Sequence, residues 1–412
     1  MATTDLTAPE TAISRPPAPL KPMEWIRKNL FHGWFNSILT IVTLVVLFVV
    51  LRGIFNWVFF SANWTPVVSS LRLFAVGQYP TAQLWRVGLI LATLSLLMGL
   101  SWGVWGGTVR TFALALAVGF AVIALLPLDL YRANEDPLDL SVRVGFASYP
   151  VLILAGYALG KRGLVKSRLV AVLWLVSLVL TFVLLSGFSG SELLPRVETG
   201  LWGGLLLTFL LAFVGIVASF PIGVLLALGR QSSLPVLKIF CTMFIELVRG
   251  VPLVTILFMF SLILPLFLPP DVRLDRVLRA MAAMTFFAAA YMAENVRGGL
   301  QSIPRGQVEA AKAVGLSGLQ ITTFIVLPQA LRAVIPAIVG QFIALFMDTT
   351  LAIIVGLVEL LAVGRAVLNA NVEWLLLDKE VYIFIAAIFW IFTFSMSYAS
   401  RRLERALGVG ER

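Results

Sequence analysis

The sequence predicts an all-α polytopic membrane protein of about ten transmembrane helices. Two observations carry that expectation. Of 412 residues, 60% are hydrophobic and 13% are charged, whereas soluble domains run near ~45–50% and ~25%. The apolar residues also fall in blocks of about twenty, the length that spans a ~30 Å hydrocarbon core. A net charge of +10 then reads as topology rather than as a nucleic-acid footprint, because the basic residues are scattered between blocks and form no single patch.

Residues 1–24 are rich in Pro, Ala and Thr without apolar periodicity and read as a disordered tail. Spans follow near 37–59, 84–102, 111–128, 144–160, 169–188, 201–229, 238–268, 278–296, 331–357 and 381–400. The first apolar run begins near Ser37 and is too long for a signal-peptide core. The seventh span is broken by Arg249-Gly250-Val251-Pro252, and the ninth carries Pro336, Gly340 and Asp348. The chain therefore divides into a disordered tail (1–30), an amino-terminal region of about five spans (31–199), a five-span core (200–401) with a polar loop at 297–330, and a second tail (402–412).

Ten spans put both termini on one side. With the amino terminus inside, nineteen of the 31 basic residues face the cytoplasm and nine face out, which favours cytoplasmic termini. A single His (His32) and a single Cys (Cys241) leave no disulfide within the chain, no His/Cys metal cluster and no plausible catalytic set. Cys241, between Phe240 and Met243, reads as packing, and His32 as an interfacial residue. Most tryptophans, Trp202 among them, lie near span ends as an interfacial belt requires.

The polar interval after span eight is the most informative segment. Pro304 and Gly306 open a helix containing Glu309, Ala310 and Ala311; Gly315 interrupts it, a second short helix starts from Ser317, and Pro328 closes the segment. Two short helices meeting at a glycine make a compact knob. Ala310 and Ala311 offer almost no side chain, so another protein can approach the backbone closely. Glu309-Ala310-Ala311 is followed after three residues by Gly315, after nine more by Ile325, and then by Leu327-Pro328. Seven such residues match by chance at a given start with a frequency on the order of 10⁻⁷.

That spacing resembles the EAA signature of ABC importer permeases. The resemblance covers about 200–410 and extends to the polar-amino-acid branch through Gly203-Gly204-Leu205 with Thr208, Glu246…Arg249-Gly250-Val251-Pro252-Leu253, Ala290–Gly299 and Asp348-Thr349-Thr350-Leu351. Met347 stands where family members often carry a basic residue. The long amino-terminal half resembles, by architecture, the long permease subunit of general L-amino-acid transporters. The resemblance implies a bacterial inner-membrane subunit whose loop (Gly306, Glu309, Ala310, Ala311, Gly315, Leu327, Pro328) is a coupling helix seated on an ATP-binding cassette ATPase dimer. It further implies a second permease copy or paralogue, an external amino-acid-binding protein and an amino-acid substrate. No cofactor is expected on this chain, which lacks a G-x-x-x-x-G-K-[ST] loop, so ATP is used by a partner.

Charges inside a bilayer mark a partner or a cavity. Glu246 and Arg249, three apart on a helix, can pair with each other; alternatively Arg249 sits near a substrate carboxylate or in a gate. Asp348 either lines a cavity facing a substrate ammonium or packs helices with Thr349 and Thr350. Glu294 with Asn295, at a span end, anchors the loop. The competing function is a self-contained secondary amino-acid transporter, which calls for inverted repeats and several intramembrane carboxylates; only Asp348 is a clear case.

Overall fold

The structure is a computed structural model that describes residues 21–125, 140–269 and 271–408. The first twenty residues of the expected tail, the end of span three and the last four residues of the chain lie outside the described residues. Two compact units are present, one ending at Asn63 and one running from Trp64.

In the first unit, α1 (Pro22–Asn29) precedes α2 (Trp34–Asn56), whose π-helical end reaches Ser61. Residues 22–29 are therefore helical, not part of a disordered tail: Pro22 presets the first turn, and the Thr40 hydroxyl donates to the Leu30 carbonyl at 2.7 Å across the following turn. No residue of α2 is buried, as suits a helix apolar on every side.

The second unit holds the remaining helices. Short α3 (Thr65–Ser69) and α4 (Leu71–Val76) lead into α5 (Leu84–Trp105), α6 (Gly107–Leu125), α7 (Leu140–Lys161) and α8 (Ser167–Ser186). Next come α9 (Gly204–Arg230), α10 (Pro235–Arg249), α11 (Leu253–Phe258) and α12 (Leu264–Phe267). α13 (Arg276–Gln301) is followed by α14 (Arg305–Ala313), α15 (Gly318–Gln320), α16 (Leu327–Asp348), α17 (Leu360–Ala370) and α18 (Asp378–Ala406). Among the described residues nine helical runs are long and apolar enough to cross a membrane, and Pro235–Arg249 with Leu253–Phe267, bent by 107°, makes ten if the bent pair is one span. The bend falls at Gly250–Pro252, where the proline removes a backbone donor. Span nine begins earlier than expected, at Gly318. Pro328 does not close the loop: a π-helical turn over Ile321–Val326 carries the helix into α16, and a local π adjustment of this kind accommodates a proline's missing N–H within a continuous helix.

Small residues decide which helices meet. Gly99 and Gly103 on α5 face Gly156 and Gly160 on α7, and a Cβ on Gly99 would lie 2.0 Å from the Ile153 carbonyl oxygen. In lipid, such close backbone approach replaces the hydrophobic drive that water would supply. α13 uses alanine instead: Ala280, Ala283, Ala288, Ala289, Ala290 and Ala293 are buried. A Cβ on Gly223 of α9 would collide with Met292. One apolar cluster joins Tyr79, Ile90 and Leu185 from the first half with Trp202, Leu211 and Met284 from the second. Trp202 is thus core, not interfacial belt, at 2% exposure. Cys241 is buried against Gly229, as packing requires.

Fully buried Arg86 donates to the carbonyls of Leu184 (3.2 Å) and Pro195 (2.9 Å), and the Tyr79 hydroxyl donates to the Leu185 carbonyl at 3.0 Å. A cation at the end of α8 suits both its unpaired carbonyls and its dipole. Replacing Gly156 by Leu forces α5 and α7 apart and is expected to destabilise the chain by about 2 kcal/mol or more. Gly119→Leu on α6, where an added Cβ meets nothing, serves as control. Equal thermal unfolding temperatures for the two variants in detergent would count against this packing.

Candidate functional site

The knob at 304–328 is built by local rules. Pro304 precedes α14, and Gly315 sits at φ 82°, the left-handed region that favours glycine. Its N–H donates to the Lys312 carbonyl at 2.9 Å, and the Leu316 N–H to the Ala311 carbonyl at 3.2 Å. Ser317 opens α15 with a capping box: its hydroxyl accepts from the Gln320 N–H at 3.4 Å, and its own N–H donates to the Gln320 side-chain oxygen at 2.9 Å. Gly306, Glu309, Ala310 and Pro328 are exposed, while Leu327 is half-buried. Ala311 departs from the expectation. It is buried, because its small side chain turns into the fold of the knob, so it shapes the loop rather than meeting a partner. Val314, Leu319 and Phe324, which the sequence reading passed over, are 76%, 76% and 69% exposed; apolar residues within a polar loop were the available signal.

The base of the knob is clamped. A Cβ on Gly299 would lie 2.5 Å from the Ala330 carbonyl oxygen, so α13 and α16 touch backbone to backbone where the knob leaves them. Arg332 donates through Nε to the Leu407 carbonyl at 2.9 Å, tying α16 to the end of α18.

Glu246 and Arg249 do not form the pair their spacing allows. Glu246 meets Arg230 at 2.9 Å, and Arg249 reaches Glu294 at 3.6 Å. Glu294 is also 3.4 Å from Arg230 and takes Arg297 Nε at 3.0 Å on both oxygens. The Glu294 side chain is 23% exposed and that of Glu246 55%, so the more desolvated carboxylate gathers more cations. Arg230 and Arg297, counted only toward topology in the sequence, belong to this cluster.

Asp348 ends α16 half-buried and makes no hydrogen bond or ion pair among the described residues. Thr349 is buried and donates to the Phe346 carbonyl at 2.7 Å; Thr350 donates to that of Met347 at 2.9 Å. Both hydroxyls serve the turn into the 3₁₀ segment Thr349–Val355, and neither engages Asp348. Ala333, Ala337, Gly340, Ala344 and Met347 form an exposed stripe on α16 leading to Asp348.

Glu359, which the sequence reading missed, is fully buried between the last two spans. Its oxygens accept from the N–H groups of Leu361 (2.7 Å) and Ala362 (2.9 Å), capping α17. Beside it the Thr208 hydroxyl accepts from the Leu360 N–H at 3.1 Å, and the Gly204 N–H donates to the Val358 carbonyl at 2.9 Å.

The described residues thus form a polytopic helical protein with an exposed loop clamped at its base between two spans. Residues 219–409 match the family described as binding-protein-dependent transport system inner membrane component. The inner membrane amino-acid ABC transporter permease protein YhdY of Escherichia coli (strain K12) is 36% identical over 97% of this chain and 98% of its own. The glutamate/glutamine/aspartate/asparagine transport system permease protein BztC of Rhodobacter capsulatus is 36% identical over 98% and 97%. The probable glutamine ABC transporter permease protein GlnP of Bacillus subtilis (strain 168) is 36% identical over 50% of this chain and 92% of its own. The chain belongs to the family of binding-protein-dependent transport system inner membrane components. It is a multi-pass inner-membrane permease subunit, and the self-contained transporter reading falls away.

Burial pushes the Glu359 carboxyl up from 4.5 to about 7, against the opposing pull of the Leu361 and Ala362 N–H groups and the Arg365 charge. The folded chain thus holds this proton more tightly than the unfolded one. The resulting stability is fully present below pH 4.5 and is lost as pH rises through about 7. Wild type is expected to unfold at a higher temperature at pH 5 than at pH 8, with up to about 3 kcal/mol from this group. Glu359→Gln should shrink that difference; an unchanged pH dependence would refute the assignment.

Proposed function

We propose that the cargo is an amino acid and that the chain forms one half of its path across the membrane. A separate ATP-binding cassette ATPase dimer hydrolyses ATP, a second permease subunit completes the path, and an external amino-acid-binding protein delivers the substrate. No cofactor is held by this chain. The knob and both termini face the cytoplasm, consistent with the nineteen-to-nine distribution of basic residues. The observation that carries the reading is the knob itself: the EAA spacing at Glu309, Gly315 and Leu327-Pro328 falls on an exposed loop whose base is clamped between α13 and α16. A loop held that way passes force to two spans together, as rigid-body switching requires. The amino-acid permeases aligned along nearly the whole chain support the substrate class.

The open stripe on α16 is the surface we assign to the path, with Asp348 at its end toward a substrate ammonium. Reconstituted with its ATPase, second permease and binding protein, Glu309→Ala or Gly315→Val is expected to lower uptake at least about tenfold, with membrane insertion and ATP hydrolysis retained. For Gly315 the cause is direct, since a β-branched residue at this φ costs on the order of 1–3 kcal/mol. Normal uptake in both variants would overturn the coupling role. Asp348→Asn is expected to reduce uptake or change which amino acids are carried. Unchanged transport of every amino acid tried would leave Asp348 as packing alone.

A further inference from the structure

The cluster around Glu294 joins three segments by charge: the end of α9 through Arg230, the last residue of α10 through Arg249, and α13 through Glu294 and Arg297. α13 runs on directly to the knob. Arg249 stands immediately before the 107° bend into α11. We propose that this cluster is an ionic latch that holds α10 against α13 between transport strokes, and that Arg249 is the group that lets go when the knob moves. The inference rests on the reading of the chain as an ATP-driven permease.

Charge balance and geometry select Arg249. Three arginines face two glutamates, so one guanidinium can leave without stranding a carboxylate, whereas loss of Glu294 would leave three partly buried guanidiniums with one carboxylate. Arg297 lies three residues from Glu294 on the same helix, so movement of one helix against another does not part them. Arg230 is held twice, by Glu246 at 2.9 Å and by Glu294 at 3.4 Å. Arg249 has one carboxylate, at the longest distance in the cluster, 3.6 Å. Its Nε is buried without a hydrogen-bond partner. Its guanidinium also lies 5.5 Å from the centre of the Tyr291 ring, an alternative resting place for a cation. The weakest link is therefore the one at the hinge.

The test uses the whole transporter in liposomes, reading ATP hydrolysis without binding protein and amino acid imported per ATP. Arg249→Gln is expected to raise the former about threefold, the scale of one partly screened ion pair, and to lower the latter. Arg297→Gln frees Glu294 to hold Arg249 more tightly and is expected to move hydrolysis the opposite way. A merely structural role would move both variants in the same direction, and that result, or wild-type values for Arg249→Gln, would overturn the latch. If Arg249→Gln fails to reach the membrane, Arg297→Gln decides by the same readings: lowered hydrolysis supports the latch, and raised or wild-type values overturn it. A wild-type complex without ATP-dependent uptake would overturn the functional reading together with the latch, whereas wild-type uptake with unaltered variants would overturn the latch alone.

Discussion

The approach of α9 and α16 to α13 over alanine and glycine is the constraint on which the core depends. Lipid is as apolar as leucine, so helices in it are held by close van der Waals contact and by satisfied polar groups rather than by escape from water. α13 meets the first requirement with its buried alanines and with Gly299, whose Cα leaves room for the Ala330 carbonyl. It meets the second at its ends. Asp275 caps the first turn by accepting from the Val277 N–H at 2.8 Å, and Thr199 donates to the same carboxylate; Glu294 gathers three guanidiniums near the other end. Every part assigned a job is attached to this helix or to a neighbour packed against it.

The spans were legible in the sequence because the bilayer imposes one length and one polarity, and breaks such as Gly250–Pro252 change backbone chemistry locally. The knob was legible because Pro304, Gly315 and Ser317 each act within a few residues of themselves. Partner choice among charges was not. Spacing along α10 permits Glu246 to meet Arg249, but the outcome depends on how far each carboxylate is desolvated, and that follows from helices far apart in sequence. Glu294 lies 64 residues from Arg230, and no local pattern announces the contact. Glu359 was missed for the same reason, since a carboxylate before a short apolar helix looks like an ordinary surface cap until packing buries it.

The amino-terminal half follows the same physics by different means. Its α5–α7 crossing relies on glycine pairs four apart, a pattern present in the sequence but common enough among 32 glycines to pass without notice. Its junction with the core relies on Arg86, a cation with no carboxylate among its hydrogen-bond partners, satisfied instead by carbonyls at the end of α8. Gly77 and Gly203 come into direct backbone contact as well. A second contact lies at Val67 and Phe74, which pack against Leu360, Val363 and Val381 of the core.

The two polar sites of the core lie toward opposite ends of one lever. From Gly318 to Val355 the chain is helical without a break, through the π turn and past Pro336. Leu327 and Asp348 are twenty-one residues apart, about 30 Å of α-helix. A tilt of about 5° at the clamped base would displace Asp348 by about 3 Å, roughly the length of a hydrogen bond. A motion too small to unpack alanine-lined interfaces is therefore large enough to make or break a polar contact at the far end. The geometry thus suits a stiff helix beneath the knob with Asp348, unpaired among the described residues, well along its length.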